Sequence, residues 1–220
     1  MTRAAQDFAI SLADAHRLFA YYDAELARFK PRIPEEAEVL KRAALMMAVT
    51  AFESYVEDYF REMVPPRLSA AQTPKEFKQV FELVAKKWLK EHPDKPAGFV
   101  ERTGDGWKAL LTANLNQRLK ALHSPKSEIV IGLFRHFLGV ELSKHWLWQG
   151  YPFDAACKRL DEIVSLRGRI AHIARKGGMQ PTKHEVSRIE LKKYLNFFEG
   201  IVGATEKIPV HIIASGQTDL

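Results

Sequence analysis

Residues 160–172 read LDEIVSLRGRIAH, and they belong to a longer segment in which apolar side chains recur every three or four positions. Starting from Phe153, the series continues through Ala156, Leu160, Ile163, Arg167, Ile170 and Ala174. This spacing is typical of the buried face of an amphipathic helix, so it predicts a helix over 153–174. Arg167 is the exception, because it is a cation where the pattern favours an aliphatic side chain.

The charge of Arg167 must be compensated. A guanidinium that leaves water is unfavourable unless an anion meets it. That anion is either a carboxylate of the same protein or a ligand that binds from outside. Gly168 follows directly, and a Gly177-Gly178 pair stands beyond the predicted helix end. These glycines leave space for a ligand to approach.

His172 stands five positions after Arg167, and a positive strip runs beside it, formed by Arg169, Arg175 and Lys176. One interpretation is a surface arginine and a histidine near a helix carboxyl end, where the helix dipole favours cations. The other is an anion site. Side chains five apart on an ideal helix point about 140° away from each other. Arg167 and His172 therefore converge at a frayed helix end, through a curled arginine, or across a dimer.

Helical periodicity also dominates the rest of the chain, and strand alternation is nearly absent. The other predicted helices are 3–29, 35–63, 74–91, 107–122, 127–138 and 182–203. Pro65-Pro66 is expected to end the second of these, and Thr182 with Glu185 to cap the last. The sequence thus predicts an all-α bundle in a single domain over 1–207, with its core at about 35–205 and a C-terminal tail at 208–220.

The composition indicates an acidic partner. The 220 residues are 46% hydrophobic and carry a formal net charge of +6, which favours ligands such as nucleic acid. The single cysteine, Cys157, forms no internal disulfide, which suits a reducing compartment. No apolar run approaches the ~20 residues that span a bilayer. We therefore expect a cytoplasmic protein with no membrane partner.

Other site chemistries lack support in the sequence. The histidines show neither H-E-x-x-H nor C-x-x-C spacing, so no metal site is expected. A Gly-rich phosphate loop is absent too, and no cofactor is indicated. Cys157 lacks a nucleophile signature and is interpreted as a small apolar residue. Trp88 with Lys86-Lys87 and Lys90 either stacks on RNA or forms the solvated face of a helix around one core tryptophan.

The Arg167-x4-His172 pattern resembles the R-x4-6-H signature of HEPN (higher eukaryotes and prokaryotes nucleotide-binding) domains, in particular the RiboL-PSP-HEPN and MAE-type groups. Two further segments support the likeness. Residues 51–58, AFESYVED, are similar to the second-helix segment of that group. Residues 122–125, LHSP, followed by LF at 133–134 and LGV at 138–140, resemble its "HNP…LF…LG" run. The likeness covers about residues 40–210.

The resemblance implies an all-α bundle that dimerises, here through the 153–174 helix, so that two motifs face one another. Many members are metal-independent endoribonucleases of toxin, antiviral or RNA-processing systems. It implies that Arg167 binds the scissile phosphate and that His172 transfers protons during 2′-hydroxyl attack. Arg169 would support them, and Arg175 and Lys176 would bind the RNA backbone. The implied partners are RNA, a second copy of the chain, and an antitoxin or defence-system protein.

Two positions leave alternatives open. Glu53, in the second helix, either pairs with Arg167 or orients His172, or it is an ordinary, partly exposed acid. Gly168 stands where the family commonly carries a polar residue, so a side chain that could orient the catalytic groups is missing. The alternative function is therefore a catalytically weak HEPN module that binds RNA, a nucleotide or a protein partner.

Overall fold

The computed structural model describes residues 1–29, 37–93, 106–148, 150–173 and 186–209, without the side chains of residues 172 and 173. Within these ranges the regular structure is helical and contains no strand. The all-α prediction is therefore confirmed. The α-helices are α1 (Arg3–Arg28), α2 (Glu38–Ala70), α3 (Lys78–Glu91), α4 (Gly106–Lys120), α5 (Ser127–Leu133), α6 (Phe153–Ile173) and α7 (Arg188–Thr205).

Helix α1 runs antiparallel to α2, and hydrogen bonds at both ends fix this register. At one end the backbone N–H groups of Arg3 and Ala4 donate to the Glu62 carboxylate. At the other end the Tyr22 hydroxyl donates to Glu38. Buried side chains follow α1 at helical spacing, namely Ala4, Ala5, Phe8, Leu12, Ala15, Phe19 and Tyr22. The apolar pattern of 3–29 thus gives the helix that it predicts.

Helix α7 is also antiparallel to α1. The backbone N–H and the hydroxyl of Thr2 donate to Glu206, just beyond the end of α7. Arg188, the first residue of α7, donates two hydrogen bonds to Asp23 near the end of α1. Because α1 opposes both of its neighbours, α2 and α7 run parallel to each other.

Helix α2 lies at the centre of the fold, where it contacts α1, α4, α6 and α7. Its two apolar flanks account for this position, because both must be covered. Aromatic rings dominate its contacts: Phe52 packs 5.3 Å from Phe198 of α7, and Phe60 packs edge-on, 5.0 Å from Phe134. Large rings in mutual contact bury much apolar area and hold the helices in a fixed arrangement.

The expected helix break at Pro65-Pro66 is wrong, because α2 continues through both prolines to Ala70. A proline inside a helix removes a backbone hydrogen bond and crowds the preceding turn. Tertiary contacts outweigh that local penalty here. Leu68 is buried, and the guanidinium of Arg67 donates to the carbonyls of Phe137 and Glu76 while stacking on Phe77.

One further boundary differs from prediction. The last helix begins at Arg188, where Ser187 caps it through a hydrogen bond from the Glu190 N–H. Thr182 lies outside the described residues. Helix α5 continues into a wider π turn, Phe134–Leu138, which ends at Gly139 with φ 69°. That left-handed conformation suits glycine, so this helix end agrees with the sequence.

Helix α6 matches its predicted bounds closely, and Ala156, Leu160, Ile163 and Ile170 are buried as the pattern indicates. Asp161 ties α6 to α5, because its carboxylate accepts from both the N–H and the hydroxyl of Ser127. In the part of the chain that the structure describes, no helix is both long and apolar enough to cross a membrane.

Candidate functional site

Arg167 lies on the inner side of α6, in line with the buried Ile163 and Ile170. Its side chain nevertheless keeps 27% of its surface exposed. The guanidinium therefore reaches from the packed interior towards solvent. A ligand that arrives from outside has access to it.

Glu53 of α2 lies opposite Arg167. The closest approach is 3.9 Å, between Arg167 Nη2 and Glu53 Oε2, which exceeds a normal hydrogen-bond distance. Arg167 Nε and Glu53 Oε2 are both buried and have no hydrogen-bond partner among the described residues. The two charges thus attract each other, but the pair leaves hydrogen-bonding capacity unused on both sides.

His123 also borders this pair, and its role was missed from the sequence. Its backbone carbonyl accepts a long hydrogen bond of 3.5 Å from Arg167 Nη1. Its imidazole lies near enough to Glu53 to lower the pKa of that carboxyl. The available signal was the LHSP segment at 122–125, which resembles a family segment and contains His123. His123 is exposed, so its ring is accessible to a ligand.

Burial is the main electrostatic influence on Glu53. It raises the pKa of the carboxyl above the ordinary value of 4.5, and the neighbouring Glu57 acts in the same direction. The charges of Arg167 and His123 lower the pKa and offset this only in part. The ionised carboxylate is therefore less favourable in the folded protein than in water, despite its cationic neighbours.

The other predicted site residues lie elsewhere or outside the described residues. Arg169 is exposed, and its charge acts to lower the pKa of Tyr194 on α7. It therefore occupies a different face of α6 from Arg167. The backbone of His172 belongs to α6, whereas its side chain is outside what the structure describes. Arg175 and Lys176 fall outside the described residues altogether. A Cβ added at Gly168 would meet no described atom within 4 Å beyond its own helix, so the space at Gly168 itself is open.

The residues that the sequence offered for other site chemistries lie away from the Glu53–Arg167 pair. Lys86, Lys87 and Lys90 are exposed on α3, and Trp88 is half-buried, stacked on His92. Cys157 is half-buried, and burial raises the pKa of its thiol, which disfavours a reactive thiolate. Among the described residues no group of histidine, cysteine and acidic side chains could hold a metal ion.

Comparisons with known proteins identify a family. The family model described as RiboL-PSP-HEPN matches residues 11–208, which is most of the chain. No curated protein and no solved structure matches the chain. The matched range contains α2 and α6 together with the Glu53–Arg167 pair.

Proposed function

Because the chain belongs to the RiboL-PSP-HEPN family, we propose that it is a metal-independent endoribonuclease that uses Arg167 and His172. The family suggests a ribonuclease-like or nucleotide-binding domain, and the proposal makes this specific. The supporting observation is the incomplete pairing of Arg167, whose guanidinium is partly buried yet keeps a buried N–H with no partner in the described part of the chain.

A phosphodiester would accept the hydrogen bonds that Arg167 leaves unmade. The planar guanidinium can donate two parallel hydrogen bonds to non-bridging phosphate oxygens. Negative charge on these oxygens increases as cleavage proceeds, so a fixed donor stabilises the transition state more than the ground state. Partial burial strengthens this interaction, because less water screens it.

The reaction requires no metal. A base removes the proton from the 2′-hydroxyl, and the oxygen attacks the adjacent phosphorus. The bond from phosphorus to the 5′-oxygen breaks, and an acid protonates that leaving oxygen. The products are a 2′,3′-cyclic phosphate and a 5′-hydroxyl. We assign one proton transfer to His172, because an imidazole titrates near neutral pH.

Glu53 is assigned as a positioning residue. Its carboxylate attracts the guanidinium without binding it fully, which orients Arg167 while leaving donors for substrate. A tighter pair would hold the arginine as an internal ion pair. The raised pKa of Glu53 is consistent with this weak hold, since burial outweighs the attraction of Arg167.

We further propose that the site is completed in a homodimer formed through α6. Arg167 and His172 diverge by about 140° on one helix, and a second copy facing the first would supply the opposing imidazole. The open space at Gly168 supports this arrangement, since no described neighbour lies within 4 Å of a Cβ added there. The exposed Arg169, together with Arg175 and Lys176, would bind the RNA backbone beside the site.

The expected setting is a toxin–antitoxin or antiviral defence system in the cytoplasm, with an antitoxin or defence-system protein as a second partner. An unrestrained endoribonuclease damages its host. Expression of the wild-type chain should therefore slow growth, and the His172→Ala variant should relieve the effect. Equal growth with both chains would contradict this setting.

Gly168 favours a second candidate function. It removes the polar side chain that the family commonly carries beside its arginine, and this reduces the number of groups that can orient the 2′-hydroxyl. On this alternative the chain is a catalytically weak module that binds RNA, a nucleotide or a protein partner. It predicts RNA binding without cleavage.

Cleavage in the presence of EDTA separates the two candidates. Wild-type protein should convert single-stranded RNA into fragments with 2′,3′-cyclic phosphate or 3′-phosphate ends. The His172→Ala variant should bind RNA without cutting it. His16→Ala is the matched control, because His16 pairs with Glu199 on the α1–α7 surface and should cut normally. Identical behaviour of wild type and His172→Ala would contradict the nuclease.

A further inference from the structure

Arg118, on α4, is a second half-buried cation that no carboxylate neutralises among the described residues. Its Nη1 lies 2.9 Å from Nδ1 of His136, and its guanidinium lies 5.6 Å from the centre of the Phe137 ring. Since a guanidinium only donates, Nδ1 must accept, and the His136 imidazole is neutral in this arrangement. A guanidinium has five N–H groups, and among the described residues only this one hydrogen bond is formed by Arg118, so other donors can serve a ligand.

A groove of about 880 Å³ lies beside Arg118, between α4, α5 and the beginning of α6. This volume is within the range of small-molecule sites. Its wall is largely apolar, with contributions from Ala121, Ile129, Ile131, Leu133, Phe153 and Cys157. Ile129 keeps 46% of its surface exposed. A ligand that combines a flat apolar ring with a negative charge for the half-buried Arg118 is therefore a suitable occupant.

The remaining charges of the groove limit what it can hold. Arg135 is bound in a two-hydrogen-bond pair to Glu141, so its charge is already compensated. Glu128 and Asp154 are exposed and also line the groove. Two carboxylates disfavour a ligand with several negative charges, such as a triphosphate. A single phosphodiester balances Arg118 with the least repulsion.

We propose that this groove is a second nucleotide subsite, in which Arg118 binds one RNA phosphate and the apolar wall holds the adjoining base. The inference deepens the proposed function and rests on it, because it assigns the flanking nucleotides of the same substrate. Bases stack or pack on apolar surface without regard to sequence, so the subsite would strengthen binding without selecting a base.

The position of the groove suits a strand that continues to Arg167. Cys157, in the groove wall, and Arg167 lie ten residues apart on α6, about 15 Å along the helix. On the other side, the chain leads from Arg118, near the end of α4, through the following connection to His123, whose carbonyl contacts Arg167. We therefore place the two arginines along the path of one short single strand.

Binding of a single-stranded octaribonucleotide to the His172→Ala protein tests the subsite without turnover. Adding Arg118→Gln should weaken binding about tenfold, the effect of losing one strong charged hydrogen-bonding group. The slope of log affinity against log salt should fall by about 0.7, as for one lost phosphate contact on a single strand. The RNA affinity of Arg118→Lys should lie between that of the protein with Arg118 and that of Arg118→Gln. Lysine keeps the positive charge but loses the planar arrangement of donors.

Arg17→Gln is the matched control. It removes the same charge from an exposed arginine that pairs with Asp14 on α1, so it measures the effect of net charge alone. Thermal unfolding of each variant checks that Arg118→Gln is folded. If it unfolds, Arg118→Lys and an Ile129→Asp substitution in the groove wall provide the same comparison, with Ile10→Asp on exposed α1 as the control.

The outcomes separate this inference from the nuclease proposal. Weaker binding for Arg118→Gln than for Arg17→Gln supports the subsite, even if wild-type protein never cuts RNA. Equal RNA binding by the two variants overturns it, and the groove would then serve another ligand, such as a protein segment. If Arg118→Gln, made in the active protein, cleaves RNA at the wild-type rate and with the wild-type KM, the subsite is likewise overturned. The nuclease proposal then stands.

Discussion

The guanidinium of Arg167 lies 3.9 Å from the Glu53 carboxylate, so the two charges are neighbours without a hydrogen bond between their closest atoms. Each side chain also keeps one buried polar atom with no partner among the described residues. Such atoms are unfavourable, and native proteins rarely retain them without a reason. In our account the reason, on the Arg167 side, is a phosphate that accepts from its guanidinium.

The first prediction concerns Glu53→Gln. Because the pKa of Glu53 is raised, the folded state disfavours its ionised form, and its contribution to stability is lost as pH rises through the folded pKa. A neutral glutamine avoids this penalty, so the unfolding temperature at pH 7 should stay the same or rise. RNA cleavage should nevertheless fall, because Arg167 loses its orienting charge.

Glu91→Gln is the control for this change. Glu91 forms an ion pair with Lys87 at the same separation of 3.9 Å, but both side chains are about half exposed. Its substitution should affect neither stability nor cleavage. A marked fall in the unfolding temperature of Glu53→Gln would show that the carboxylate stabilises the fold, and would contradict its positioning role.

The second prediction concerns Gly168. An added Cβ meets no atom within 4 Å, and glycine in a helix interior is less stable than alanine by roughly 0.5–1 kcal/mol. Gly168→Ala should therefore raise the free energy of unfolding by about that amount, as measured in urea. Gly168→Asn should raise the cleavage rate, since it supplies the polar side chain that the family commonly carries.

Gly203→Ala is the control for helix propensity, because Gly203 also lies in a helix with open space around it. It should stabilise α7 without changing cleavage. If Gly168→Asn and Gly168→Ala cut RNA at equal rates, the polar group at this position has no catalytic effect. Gly168 would then no longer favour the weak-module alternative.

The third prediction concerns the stability of the fold at acidic pH. Burial and the charges of Arg118 and Arg135 lower the pKa of His136 below its ordinary value of 6.5. The unfolded chain therefore binds a proton more readily than the folded one, so stability should fall as pH decreases through 6.5. Protonation of Nδ1 also removes the acceptor for Arg118.

Chemical denaturation between pH 7 and pH 5 measures this effect. His136→Gln keeps a polar side chain without a titrating ring, so its stability should change less with pH than that of the wild type. His16→Gln serves as the control, since its ring is on the surface beside Glu199. Equal acid sensitivity of wild type and His136→Gln would rule out His136 as its source.

The helices could largely be predicted because their burial follows local periodicity. In α6 the apolar series from Ala156 to Ile170 fixes which face is buried, and the position of Arg167 follows from the same series. The continuation of α2 through Pro65-Pro66 could not be predicted in this way. It depends on Arg67, whose acceptors Phe137 and Glu76 are supplied by other elements.

The site was only partly accessible from the sequence. The partial burial of Arg167 follows from the apolar pattern of one helix, whereas its neighbours come from two other segments. Glu53 could be named only as a candidate, because periodicity does not say which helices meet. His123 lies in a connection after α4, and its contact with Arg167 is made through a backbone carbonyl, which side-chain identity does not reveal.

The most direct test of the central claim is the single-turnover rate of RNA cleavage by Arg167→Lys. Lysine keeps the charge beside Glu53 but cannot bind two phosphate oxygens in a planar fork. We predict a loss of about 100-fold or more, in line with removal of one strong transition-state donor, with little change in unfolding temperature. Arg159→Lys, on the same helix and paired with Glu162, should cut at the wild-type rate. Full activity in Arg167→Lys would contradict the claim that this guanidinium is held for a phosphodiester.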